Sequence, residues 1–365
     1  MSSQNPRNRA DRAPAPRSRK PTMADVAAKV GVSRALVSLV FRDQPGASPE
    51  TRERVFEAAS ELGYRPDMAA RLLARGRSKV LGVLFTARNP YHVDLVEAVY
   101  PAAEELGYDL VLSAAVPARD EHKAVEALIG HRSEALLLCG PTLPEADIAD
   151  IASRIPTVLV GRLVEDAPVD AVTSDDRPGA RSAVDYLVGI GHRDIAHVEG
   201  GSRPGAPERR RAYRDAMRSH GLAGHLRVVA GDHTERGGGE AARRMLAEDR
   251  PLPTAVFASN DQCAIGLLEV FAQAGVKVPE QVSIVGYDDS HIAGLSHIDL
   301  TTVRQDAPRL ARSAVRAADE QLRGVREAGL RLRLESRLLV RGTSGPPPSR
   351  RAAHQTLAID IYQFE

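Results

Sequence analysis

The sequence predicts a small all-α headpiece followed by an α/β core of two doubly wound lobes. Three observations carry that expectation. From Val80 onward, short apolar runs alternate with amphipathic segments of helical period, the pattern of parallel strands covered by helices. That alternation has too many units for one small sheet, and at 365 residues the chain is too long for a single core. Residues 22–63 lack the alternation and read instead as three short helices, the first two separated by one glycine.

In the headpiece, Thr22 can cap the first helix, with Asp25 three residues on. This is a capping box with Asp in place of Glu. Val26 and Val30 share a face at i,i+4 spacing. Gly31 lets the backbone turn, and Ser33 caps a second helix. There Val37, Val40 and Phe41 point one way, while Arg34, Ala35, Ser38, Leu39 and Arg42 point largely the other. A third helix opens at Ser48 with Pro49 in its first turn, buries Val55, Ala58, Ala59 and Leu62, and stops at Gly63. Such an arrangement is a helix-turn-helix, whose second helix would lay its outward face in a major groove of DNA. A plain helical hairpin inside a larger core is the alternative that geometry alone leaves open.

In the core, "VLGVLF" (80–85) reads as a strand, "HVDLVEAVYPAAEELG" as a helix ending at Gly107, "YDLVLSAA" as a strand, "EHKAVEALIGH" as a helix and "ALLLCG" as a strand. The series continues through "TVLVG", "DIAHVEG", "VVAGD", "TAVFAS" and "VSIVGYDDS". After a strand-like "RLRLESRLLVRG", residues 343–365 read as a loose tail.

Charge is uneven. Residues 1–79 hold sixteen Lys/Arg against eight Asp/Glu, so this end is about +8 and the rest about −7. A basic end is the electrostatic footprint of a polyanion binder. Residues 1–20 are rich in Pro, Arg and Ser and read as a disordered basic tail without the apolar stretch of a secretory signal. No run is long enough for a membrane span, so a cytoplasmic setting is expected. The two cysteines, Cys139 and Cys263, sit in apolar runs and read as buried thiols.

Residues 64–78, "YRPDMAARLLARGRS", contain a helix of about nine residues bounded by Pro66 and Gly76, marginal in isolation. Leu72 and Leu73 stand among Arg71, Arg75, Arg77 and Lys79. An apolar pair among phosphate-binding cations suits a minor-groove wedge.

The runs "ADVAAKVGVS", "TRERVFEAASELGYRP" and "ARLLARG" resemble the DNA-binding headpiece and hinge of the LacI family of transcriptional regulators. The resemblance continues to about Gly342 through "NPYHVDLVEAV", "GHRDIAHVEG", "TAVFASNDQCAIGLL", "VPEQVSIVGYDD" and "LTTVRQD". It implies a helix-turn-helix domain over 21–64, a hinge helix over 65–78, and a two-lobed effector-binding and dimerisation domain over 79–342. The lobes would have the fold shared with type I periplasmic binding proteins. It also implies a homodimer on a palindromic operator in double-stranded DNA, and a small carbohydrate-like effector that switches operator affinity.

Residue by residue, the resemblance places DNA contacts at Arg34, Ala35 and Leu39, flanked by Ser33 and Ser38, with Arg42 where the family usually has Asn. Arg34 is fitted for a bidentate contact to guanine, and Leu39 for apolar contact to a thymine methyl. The hinge wedge corresponds to Leu73, followed by Ala74, with Arg77 as a phosphate contact. Effector contacts correspond to Tyr91, His92, Arg209, Asn260, Asp288 and Gln305. His233 stands where the family often has an aromatic ring after "GD", which leaves Tyr91 as the main stacking surface. Asp288 can accept from adjacent hydroxyls, Arg209 can donate as a fork, and Asn260 can do either. The structural alternatives are an Asx turn for Asp288, a helix cap for Asn260 and a surface position for Arg209. The C-terminal residues carry no leucine heptads, which favours a dimer over a tetramer.

Enzyme readings fail on their own motifs. "GGSRP" (200–204) has Pro204 where a nucleophile elbow needs glycine. "GGG" (237–239) lacks the lysine of a phosphate loop. The eleven histidines show no H-E-x-x-H, and C-x-x-C is absent, so neither a metal nor a cofactor is expected. The rival reading is a two-lobed receptor or transport binding protein without a DNA-regulatory role, which would need an export signal and no headpiece.

Overall fold

The computed structural model describes residues 21–41, 44–64, 77–165 and 167–348. The basic tail, Arg42, and the hinge helix with Leu73 and Ala74 lie outside the described residues. The chain divides into two compact units at Ser78/Lys79.

The first unit holds α1 (Met23–Val30), α2 (Arg34–Phe41) and α3 (Pro49–Leu62). The capping box forms: Thr22 Oγ1 accepts from Asp25 N–H at 3.4 Å, and Asp25 Oδ2 accepts from Thr22 N–H at 2.7 Å. Gly31 takes φ +76° to end α1, and Ser33 Oγ accepts from Leu36 N–H at 3.1 Å to start α2. Ser48 caps α3 through Thr51 N–H at 3.2 Å. Val26, Val30, Val37, Val40, Phe41, Val55, Ala58 and Ala59 close the small core, with Leu62 packed partly buried against it.

The second unit is two six-stranded sheets, each covered by helices. Lobe 1 begins with β1 (Val80–Thr86), α4 (Pro90–Glu105), β2 (Asp109–Ala115), α5 (Glu121–Gly130), β3 (Ala135–Cys139), α6 (Glu145–Arg154), β4 (Thr157–Val160) and β5 (Asp170–Ser174). The chain then crosses to lobe 2 for α7 (Asp176–Gly189), β6 (Ile195–Val198), α8 (Ala206–Ser219), β7 (Arg227–Val229), α9 (Glu235–Ala247), β8 (Ala255–Ala258), α10 (Asp261–Gln273), β9 (Ser283–Asp288) and β10 (Thr301–Arg304). It returns for α11 (Ala307–Leu322) and β11 (Arg331–Leu334) of lobe 1, and crosses a third time into β12 (Arg337–Leu339) of lobe 2.

The strand orders are β11-β5-β4-β3-β1-β2 and β12-β10-β9-β8-β6-β7. Every pair is parallel except β10 with β12. β3 and β4 are buried along their whole length, as near-continuous apolar runs in a two-sided parallel sheet should be. α11 packs Leu310, Ala311, Ala314 and Val315 onto the same lobe 1 core as Leu137 and Val158.

One expected boundary moves. A tail beginning at residue 343 does not hold, because Thr343 is buried and bonded on both sides. Its carbonyl accepts from Ile284 N–H at 2.7 Å, and its hydroxyl donates to Ile284 O at 2.8 Å. Ser283 Oγ donates to Gly345 O at 3.0 Å, and Pro347 rests on Gly191. The chain therefore remains part of lobe 2 as far as Pro348.

Candidate functional site

On the headpiece, Ser33, Arg34 and Ala35 are exposed on α2, whereas Ser38 and Leu39 are half-buried. Leu39 leans on the following loop: a Cβ at Gly46 would stand 3.1 Å from its Cδ1. Its apolar surface is thus shared between the loop and solvent. Arg54 ties α3 to the end of α1 by donating to Val30 O at 2.8 Å.

In the core, a cleft of about 470 Å³ opens between the lobes. It lies at the carboxyl ends of the parallel strands, where doubly wound sheets leave room for ligands. Tyr91, His92, Arg209, His233, Asn260, Asp288 and Gln305 all line it. Tyr91 and His92 stand in the first turn of α4, on lobe 1, behind the Asn89 cap that accepts from Tyr91 N–H at 3.0 Å. The other side chains come from lobe 2 and from the crossing segment after β10 that holds Gln305.

Arg209 is no surface arginine. It is 4% exposed and held from several directions. Nε donates to Asp176 Oδ1 at 2.9 Å and Nη1 to Ser259 O at 2.7 Å, while the guanidinium lies 3.7 Å over the Tyr287 ring. Asp288 Oδ1 is 3.7 Å from Nη1. Burial disfavours the Arg209 cation, but Asp176 and Asp288 outweigh it and hold the group charged. A fork fixed in this way is preorganised to meet a hydroxyl pair.

Asp288 ends β9 at φ +126°, a strained conformation for a non-glycine residue. No Asx turn holds it. Gln305 Nε2 donates to its Oδ1 at 2.7 Å, leaving Oδ2 without a partner among the described residues. Burial pushes its carboxyl well above the usual range, against the pull of Arg209. Behind it, Asp261 is buried with both oxygens engaged by Thr302 Oγ1, Ser290 N–H and Ser290 Oγ, and burial lifts it to about 6.

Asn260 is a helix cap, the structural alternative for this residue. Its Oδ1 accepts from Cys263 N–H at 2.9 Å at the start of α10, and its Nδ2 donates to His233 O at 3.1 Å. One N–H and one lone pair remain for anything in the cleft.

Both histidines of the cleft are neutral. Burial, with the charge of Arg203, lowers His92 to about 4. Thr86 N–H donates to its Nδ1 at 3.1 Å, so the single ring proton sits on Nε2 and makes this atom a donor. Gly140 leaves room for that edge: a Cβ there would stand 2.6 Å from Nε2. His233, at φ +64°, lies against Gly200, where any side chain would collide with the ring. Burial and the charges of Arg209 and Arg203 hold its pKa well down. Its Nε2 is buried without a partner among the described residues, as is the Tyr91 hydroxyl.

Several residues here were not singled out from the sequence: Asp176 and Ser259, which fix Arg209, and Arg203 and Gln262. Gln262 Nε2 donates across the cleft to Arg88 O at 2.8 Å and to Glu235 Oε1 at 3.0 Å. Its place in "SNDQ" beside Asn260 was the available signal. A second contact joins the lobes where Asp94 accepts from His291 N–H at 2.9 Å and pairs with His291 Nδ1 at 2.6 Å. His192 and His197, flanking or within β6, are structural. His192 Nε2 donates to Gly345 O, and His197 is stacked between Tyr213 and Phe257. Among the described residues, no His, Cys, Asp and Glu group is placed to hold a metal ion, and no helix is long and apolar enough to cross a membrane.

Residues 22–67 match the family described as bacterial regulatory proteins, lacI family, and residues 184–344 match the periplasmic binding protein-like domain. The HTH-type transcriptional regulator GalR of Salmonella typhimurium (strain SL1344) is 35% identical over 302 residues, 81% of this chain and 88% of that protein. The lac repressor dimer, solved with operator and the anti-inducer ONPF, superposes with a TM-score of 0.77 at 28% identity, over 90% of this chain and 100% of that one. The transcriptional regulator CelR in complex with cellobiose superposes with a TM-score of 0.64 at 30% identity, over 89% and 100%. Matched in both headpiece and lobes, this chain belongs to the LacI family, whose members are DNA-binding transcriptional regulators and not enzymes.

Proposed function

We propose that this regulator is a cytoplasmic repressor that binds a near-palindromic operator as a homodimer and changes its operator affinity when a sugar-like effector binds between the lobes. In this reading Arg34 and Ala35 of α2 meet base edges, Leu39 offers apolar contact, and Ser33, Ser38 and Arg42 border the groove. Leu73 and Ala74 form the wedge, and Arg77 meets phosphate. The observation that carries the effector half is the convergence, from both lobes, of a fixed guanidinium, a carboxylate with an unused oxygen, a neutral imidazole donor and an unpartnered tyrosine hydroxyl. Such a set fits a small molecule with several hydroxyls. The operator and ONPF bound to the lac repressor, and the cellobiose bound to CelR, support it by analogy.

A ligand that touches both lobes favours the arrangement in which both can reach it, and only that difference in affinity can drive a switch. Asp288→Ala should lower effector affinity by about one to two decades, since leaving a buried hydrogen-bond partner unsatisfied costs about 1–3 kcal/mol. Operator binding without effector should stay near wild type. Operator affinity measured against effector concentration decides it. An unchanged response misplaces the effector, and lost DNA binding without effector makes Asp288 structural.

A further inference from the structure

The cleft continues past Arg203 and Pro204 into a second chamber of about 790 Å³, with Thr142, Gly161, Arg203 and Pro204 lining both spaces. Arg203 stands at their junction. Its backbone closes the turn before α8, Ala206 N–H donating to its carbonyl at 3.0 Å, but its guanidinium has no hydrogen bond or ion-pair partner among the described residues. No carboxylate lining the first chamber pairs with Arg203 among the described residues, and each has another partner. Asp288 receives Gln305, Glu235 receives Gln262, and Asp232 accepts from Thr234. Arg209 is committed to Asp176.

Donors without a partner among the described residues line the two chambers that Arg203 joins. The field of Arg203 reaches the neutral rings of His92 and His233. His92 presents Nε2–H to the cleft, and among the described residues the Tyr91 hydroxyl is buried without a partner, as is the hydroxyl of Ser174, itself 4% exposed, on the second-chamber side. No side chain caps α8, so the positive end of that helix adds to the same corner. Deeper in the second chamber Glu145, Asp175 and Glu208 carry negative charge without a partner among the described residues. Arg162, Arg177, Arg211 and Arg333 line the same chamber, so charge beyond the junction is mixed, while at the junction Arg203, unpaired among the described residues, and the free donors favour an anion.

We infer that Arg203 makes this regulator selective for an acidic sugar, one whose carboxylate or phosphate lies at the junction while its hydroxyls face Asp288 and Arg209. This rests on the sugar reading of the cleft and adds the charge of the effector. A guanidinium supplies two parallel donors that match either acid group, which a hydroxyl cannot replace.

The test is calorimetric titration of the full-length protein with glucuronate, galacturonate and glucose 6-phosphate, and with neutral glucose and galactose. At least one acid should bind about tenfold more tightly than its neutral parent, the value of one charge-assisted pair. The uronate and phosphate arms tell which acid group the junction takes. Arg203→Gln should abolish that preference, read as the ratio of acid to neutral-sugar affinity. Arg88→Gln, which removes another cation lining the cleft, should preserve the preference. Neutral sugars binding as well as acids, a preference that survives Arg203→Gln, or an equal loss in both variants would each overturn the inference alone. Binding of none of the five, or sugar binding indifferent to Asp288→Asn, would overturn the sugar reading with it.

Discussion

The two lobes repeat one sheet order yet meet the cleft with different chemistry. Lobe 1 brings Tyr91 and His92, both uncharged, on a helix start packed over the apolar strands β1, β3 and β4. Lobe 2 brings Arg209 and Asp288, with Asp261 behind them, all buried and each tied to groups from several elements. Burying charge is costly unless it is paired and hydrogen-bonded, so lobe 2 gives up adaptability for a fixed polar constellation. Lobe 1 can shift as a body without breaking that constellation, at the cost of the Gln262–Arg88 and His291–Asp94 contacts between the lobes. The comparison assigns recognition to lobe 2 and movement to lobe 1.

The largest expected effect comes from removing the centre of that constellation. Arg209→Met leaves the buried Asp288 and the half-buried Asp176 beside an apolar chain and should destabilise the core by about 3–5 kcal/mol, as broken buried pairs do. Leu137→Ala in β3 should cost a comparable ~2–5 kcal/mol through a cavity, yet leave effector affinity within a few-fold. Urea melts paired with effector titrations check both. If Leu137→Ala removes effector binding as thoroughly as Arg209→Met, the division of labour is wrong.

A second effect concerns acid. Burial lowers His197 in lobe 2 to about 3 and His92 in lobe 1 to about 4. Each is depressed in the folded state, so its contribution is present above the unfolded pKa of ~6.5 and is lost as pH falls toward the folded value. His197→Phe, which keeps a ring between Tyr213 and Phe257, should make stability less steep in pH between about 6 and 4, by up to about 1.4 kcal/mol per pH unit. Asp261, raised to about 6, works in the opposite direction over part of this range. Comparing the variant with wild type cancels that contribution, and parallel curves would contradict the assignment.

The smallest effect should come from the strut between the lobes. Asp94→Asn weakens its pairing with the exposed His291 and should change stability by less than about 1 kcal/mol, as surface pairs do. Its readout is the effector concentration at half response. A shift there with no change in melting would place the strut in the movement of lobe 1 against lobe 2.

Most of the fold was legible because its signals are local. Thr22 with Asp25, Ser33, Ser48 and Gly63 mark helix ends within a few residues, and "ALLLC" and "TVLV" are buried strands on composition alone. What escaped depends on distant partners. β5 and β10 were not read as strands, since Asp170, Thr173, Ser174, Thr301 and Thr302 look like loop residues. Asp170 is buried only because Arg326 and the N–H groups of Gly329 and Leu330 meet it, and Thr301 because Thr343 and Arg341 do. The cleft residues could be named from motif resemblance. That Arg209 would be buried could not, because Asp176 and Ser259 lie 33 and 50 positions away. Asn260 shows the reverse case, a polar residue legible as a cap whose second bond, to the His233 carbonyl, was not.

The three crossings between lobes also govern the order in which the protein can be completed as it is made. Lobe 1 begins at Val80, but its covering helix ends at Leu322 and its last strand at Leu334, after all the parallel strands of lobe 2. A ribosome adding about 5–20 residues per second leaves the apolar face beneath α11 bare for ~10–30 s after β5 has emerged. Lobe 2 in turn waits for β12 and the Thr343 anchor. Neither half can mature first, so a nascent chain cut short before Ala307 carries the headpiece helices and no finished lobe, and quality control meets it as an unfinished protein instead of a regulator that has lost its switch.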